Sequence, residues 1–81
     1  MPYSDPIQRF EDILENAERI EQYTVGARLN DFRAGGIASD AVERCLERIC
    51  EASKELGSLA EELCPDVPWS RLRALGNFLV H

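Results

Sequence analysis

Hydrophobic positions recur at steps of three and four along this chain and nowhere alternate in twos, a pattern that predicts helices and no strands. In the first stretch Ile7, Phe10, Ile13, Leu14, Ala17 and Ile20 form one stripe, with Glu11, Asp12, Glu15, Glu18 and Arg19 on the other side. Ser4 or Asp5 is placed to cap it, and Pro6 stands in the first turn, where a missing N–H does no harm. Gly26 is the expected stop, and Glu15 and Arg19 are spaced for an i,i+4 ion pair. The second periodic stretch, "DAVERCLERICEASKELGSLAEEL", aligns Val42, Cys45, Leu46, Ile49, Ala52, Leu56, Leu59 and Leu63. Ser39 is its expected cap, Gly57 a point of bending or division, and Pro65 and Pro68 its end. Between the two lies "RLNDFRAGGIAS", a connector with one helical turn around Leu29–Arg33, broken at Gly35-Gly36. A last helix starts near Pro68-Trp69 and runs to the end. The predicted fold class is all-α: an up-and-down bundle of three main helices plus a short connector helix, in one domain over residues 1–81.

Length and charge add constraints. An 81-residue chain has a marginal core, so association with a partner is expected. The net charge of −6 argues against nonspecific nucleic-acid binding. That charge is uneven: residues 1–68 hold all fifteen acidic and seven basic residues, whereas residues 69–81 hold Arg71, Arg73 and no acid. A phosphate is therefore best tolerated at the closing segment. Arg44 and Arg48 are expected to pair with Glu47 and Glu51 in the ordinary i,i+3 way. Cys45, Cys50 and Cys64 include no C-x-x-C pair, which points to reduced thiols, Cys45 serving as a small core hydrophobe, and to neither a metal nor a cofactor. No apolar run approaches the roughly 18 residues of a membrane span, and "MPYSDPIQRF" lacks the features of a signal peptide, so a cytoplasmic protein with no membrane partner is expected.

The candidate chemistry lies on the last helix. With Leu72 at zero and about 100° per residue, Leu75, Phe78 and Leu79 flank it on an apolar side, while Arg73, Asn77 and His81 fall near 100°, 140° and 180°. Such a polar stripe is ordinarily a solvated face. This one carries Asn and the chain's single His in place of Glu and Lys, and its one charge is an Arg suited to a phosphate. Histidine is also the side chain best matched to proton transfer near neutral pH. Arg73 and His81 are about 12 Å apart along the axis, too far for one phosphate, so a second copy of the helix in a two-fold dimer is needed to close the site. Trp69, beside Pro68, reads as a core anchor more readily than as a stacking platform.

The ordered set "DILENAERIEQY", "DAVERCLERICEASKEL" and "PWSRLRALGNFLVH" resembles the HepT-like ribonucleases, a branch of the HEPN superfamily, over roughly residues 7–81. The resemblance implies a homodimeric toxin that cleaves RNA, not DNA, without a metal, paired with a nucleotidyltransferase-type antitoxin. The family's pattern is Arg, Asn, three residues, His, one residue, Tyr. His81 and Asn77 match, the Arg falls on Gly76, and the Tyr has no counterpart in these 81 residues. The implied roles are a general acid or base for His81, an orienting or phosphate-binding role for Asn77, and charge stabilisation by Arg73 as the substitute for the missing Arg. On this reading Gly76→Arg raises the rate. The alternative is a noncatalytic dimerisation and partner-binding module that retains the HEPN fold.

Overall fold

The computed structural model describes residues 5–25 and 36–80; the expected stop at Gly26, the turn at Leu29–Arg33 and His81 lie outside them. Among the described residues every regular element is helical: α1 (Pro6–Thr24), α2 (Ile37–Leu56), α3 (Ser58–Leu63) and α4 (Trp69–Val80). Asp5 begins α1 as expected, its carboxylate accepting from the Ile7 N–H at 3.0 Å with Pro6 in the first turn. The start of α2 comes earlier than the Ser39 cap implied, because Gly36 takes an extended conformation and Ile37 is already helical.

Gly57 divides the long apolar stretch. Its φ of 57° and ψ of −140° are open to glycine at little cost, and its N–H closes α2 onto the carbonyls of Ser53 and Lys54. The six-residue α3 follows, and the Pro65–Pro68 turn reverses the chain into α4.

α1 and α4 both pack on α2, each antiparallel to it: Arg9 meets Glu55, while Trp69 meets Leu56 and Gly76 meets Cys50. A central helix flanked on two sides buries more than one stripe. That explains why Cys45 and Cys50, about 140° apart on α2, are both almost fully enclosed, and why Ser53 is enclosed with them. The thiols are free.

The apolar nucleus is Leu56, Ala60 and Trp69, with Phe10, Ile13, Leu59, Cys64 and Leu72 packed around it. Trp69 is 4% exposed, donates its indole N–H to the Cys64 carbonyl at 2.8 Å and meets the Phe10 ring edge-on at 6.5 Å. It is an anchor that fixes where α4 begins. No described helix is long and apolar enough to cross a membrane.

Candidate functional site

The position of α4 is set by two contacts beyond Trp69. The first is a close approach at Gly76: a Cβ there would lie 2.6 Å from Cys50 Cβ and 3.3 Å from its Sγ. Only glycine lets the helices touch this closely. The buried face of α4 thus centres on Trp69 and Gly76, rotated by roughly 75° from the centre of the Leu72–Leu75–Leu79 stripe that hydrophobicity alone selects. Leu75 and Leu79 are left half-buried, and Phe78 is 78% exposed.

The second contact is Arg73. Its Nη2 donates to the Gly57 carbonyl at 2.8 Å and, together with Nε, to the Ser53 carbonyl at 3.3 Å. Both terminal nitrogens also engage the Glu61 carboxylate, at 2.8 and 3.2 Å. All three guanidinium nitrogens therefore hold acceptors of the chain itself. The carbonyls at the end of α2 carry the negative end of its dipole, and the guanidinium satisfies them while bridging to α3. The Arg73–Glu61 hydrogen bond raises the Arg73 pKa further and lowers that of Glu61.

Of the three residues singled out on the last helix, Arg73 thus faces inward as a clamp and Asn77 is exposed one turn later; His81 lies outside the described residues. Arg73 and Asn77 share a stripe without sharing a partner. The Asn77 Oδ1 instead accepts from Lys54 Nζ on α2 at 2.8 Å. Sequence reasoning passed over Lys54. The available signal was that it is the chain's one lysine among eight arginines, but nothing in local spacing ties it to a residue twenty-three positions away.

A different feature opens on the other side of α2. Between α1 and α2 lies a cleft of about 370 Å³ lined by Arg9, Asp12, Asn16, Arg19, Arg48 and Glu51, among others. Asn16 is 5% exposed; its Nδ2 donates to the Asp12 carbonyl, while its Oδ1 has no protein partner among the described residues. Arg9 bonds Glu55 at 2.8 Å and Asp12 at 3.0 Å, but its Nε is likewise unpaired. The expected pairs of Arg44 and Arg48 with Glu47 and Glu51 do not form; the described ion pairs are Arg9–Asp12, Arg9–Glu55, Arg19–Glu15 and Arg73–Glu61. No α4 residue lines this cleft, so it is separate from the Asn77 region.

Comparison with known proteins identifies the family. A protein of Thermococcus cleftensis named "Probable ribonuclease HepT" is 37% identical over 71 residues, 88% of this chain and 64% of that protein. A candidate RNase of Methanocaldococcus jannaschii is also 37% identical, over 70 residues, 86% of this chain and 64% of the relative. A second candidate RNase of that organism is 35% identical across all 81 residues, 67% of its own length. The chain thus spans just under two thirds of the length of the first two relatives. No solved structure matches it. The family profile described as Ribonuclease HepT-like matches residues 13–81, which takes in most of α1, all of α2, α3 and α4, and the Gly76–His81 segment: the chain belongs to the HepT-like ribonuclease family.

Proposed function

We propose that this chain is the catalytic module of a toxin-type ribonuclease, active in the cytoplasm as a homodimer whose two copies of α4 face each other. The observation that carries the reading is the family match running through Asn77 to His81, with Asn77 exposed on α4. In the proposed reaction the ribose 2′-oxygen attacks the adjacent phosphorus, the bond to the 5′-oxygen breaks, and a 2′,3′-cyclic phosphate and a 5′-hydroxyl result. His81 takes the 2′-OH proton or delivers one to the leaving oxygen, and Asn77 donates to the phosphate or orients the imidazole. No bound metal takes part. Exposed Phe78 beside Asn77, with half-buried Leu75 and Leu79, supports a second copy packing along α4. A nucleotidyltransferase-type antitoxin is the proposed regulator.

The test is cleavage of a labelled single-stranded RNA in the presence of chelator, with product ends identified. Cyclic-phosphate ends, lost in His81→Ala, are expected; cleavage unchanged in His81→Ala refutes the assignment. Sedimentation over micromolar concentrations should show a dimer, and a monomer throughout removes the composite site.

A second reading, a noncatalytic dimerisation and partner-binding module, draws support from one observation. The position where the family pattern puts its Arg is a glycine pressed against Cys50, and the stripe's own Arg73 is engaged within the bundle. An RNA-inert chain that still binds its partner would favour it.

A further inference from the structure

With position 76 bare and Arg73 turned inward, the ribonuclease reading lacks a cation for the scissile phosphate, and a different helix holds one at the right place. Lys54 projects from the last turn of α2 across the Gly76 contact: its Cε lies 3.8 Å from where a Gly76 Cβ would stand, and its Nζ reaches Asn77 Oδ1 at 2.8 Å. The space beside Gly76 that a long basic side chain would have to cross is filled by Cys50 and the Lys54 stem. A cation beside Gly76 and Asn77 is thus supplied by α2.

We propose that Lys54 is a phosphate-binding residue of this site, contacting the RNA phosphodiester directly and fixing Asn77 to do the same. This rests on the ribonuclease reading. Two features support it. Lys54, in common with Arg44, Arg48 and Arg71, has no carboxylate partner among the described residues, and of these it is the one bonded to the neutral amide of Asn77, whereas Arg73, the cation of the same stripe as Asn77, is held by Glu61. An ammonium with an amide partner keeps its charge and two further N–H groups for an incoming anion. Cys50, one turn before Lys54, does not neutralise it, because burial pushes that thiol's pKa up, against the pull of Lys54 itself. Secondly, the bond consumes the oxygen of Asn77. The amide then presents its NH2, a donor, to solvent, so Lys54 and Asn77 offer neighbouring donors, Asn77 lying four residues before His81 in the sequence.

An exposed lysine has little to do with folding, which makes the test clean. In the full chain, Lys54→Gln is expected to lower RNA cleavage at least tenfold, in line with the loss of one preorganised donor to a developing charge, while the melting temperature stays within a degree or two of the parent. Lys54→Arg should recover most of the rate. In parallel, titration with inorganic phosphate followed by NMR should shift the Asn77 side-chain amide resonances in the parent and in Lys54→Arg but not in Lys54→Gln. Cleavage by Lys54→Gln within twofold of the parent overturns the proposal, as does a phosphate response at Asn77 that survives the change. A parent that cleaves no RNA yet shows the Lys54-dependent phosphate shift defeats the ribonuclease reading and leaves the anion site standing; a parent showing neither defeats both.

Discussion

The two helices that flank α2 share one apolar nucleus and differ in what holds them beyond it. α4 is docked by a buried tryptophan, a glycine at the point of closest approach and an arginine whose three nitrogens all find acceptors. α1 also reaches the apolar nucleus, through Phe10 and Ile13, but along the rest of its length it borders an open cleft edged by charged side chains, with one oxygen of buried Asn16 and one nitrogen of Arg9 unpaired among the described residues. Ion pairs of this exposed kind contribute about 0–1 kcal/mol each, whereas close packing and satisfied carbonyls fix a helix in register. The difference says which helix can carry a preorganised site. Chemistry built on α4 inherits its precision from the Gly76 and Arg73 contacts; the side chains of α1 that line the cleft have no comparable frame.

The sharpest way to break this contrast is at Trp69. Trp69→Ala should destabilise the chain by about 3–5 kcal/mol, most of what a small domain has, as measured by urea denaturation. A loss below about 1 kcal/mol would mean that α4 is not anchored where its burial implies.

Gly76 comes next, and here the sign decides. In a slack helix Gly→Ala stabilises by up to about 1 kcal/mol. Against Cys50 at 2.6 Å it should instead destabilise by about 1–3 kcal/mol. Cys50→Gly removes the obstructing Cβ, and Cys50→Ala retains it, so only the former should relieve Gly76→Ala in a double-mutant cycle. The same contact attaches a packing penalty to Gly76→Arg, which was expected from the family pattern to raise the rate. Any gain in chemistry must first overcome displacement of α4.

Arg73 and Asn16 form a pair that separates satisfaction from burial. Arg73→Met preserves the stem and removes the charge-assisted bonds to the Gly57 and Ser53 carbonyls, for an expected loss of about 1–3 kcal/mol. Asn16 is the more buried of the two, yet Asn16→Ala should change stability by less than about 1 kcal/mol. Relief of the unpaired Oδ1 offsets the lost bond to the Asp12 carbonyl. If thermal melts rank the two the other way, the α1 cleft contains a partner for Asn16 and the contrast between the seams fails.

These residues also mark how far the sequence can be read. The three main helices and the Asp5 cap were legible because apolar spacing and capping are local. Division at Gly57 was legible as a position, but its consequence, exposed carbonyls that recruit Arg73 from sixteen residues downstream, was not. The α4 face was misplaced by roughly 75° because a hydrophobicity wheel gives no weight to glycine, and here glycine is the contact. On α1, Ile7 and Leu14 were expected in the buried stripe and are 69% and 63% exposed, while Asn16 takes the position against α2. Family spacing singled out Asn77 as a candidate; only the third dimension brings Lys54 to it.

The smallest expected effect tests the clamp through its charge. The hydrogen bond from Arg73 lowers the Glu61 pKa in the folded chain, so the folded state holds this carboxyl's proton less readily than the unfolded state does. By linkage, the contribution of Glu61 is fully present above the unfolded carboxylate value of about 4.3 and is lost as pH falls through the lower folded value. Glu61 is half exposed, and solvent keeps the effect modest. The readout is the difference in melting temperature between the parent and Glu61→Gln. That difference should stay constant from pH 7 to about pH 5 and shrink below about pH 4, where the parent carboxyl becomes neutral like the amide. A difference that persists undiminished to pH 2.5 would show that Glu61 acts through shape alone and that the clamp is Arg73 on the α2 carbonyls; a difference absent at every pH would leave those carbonyls as the whole of it.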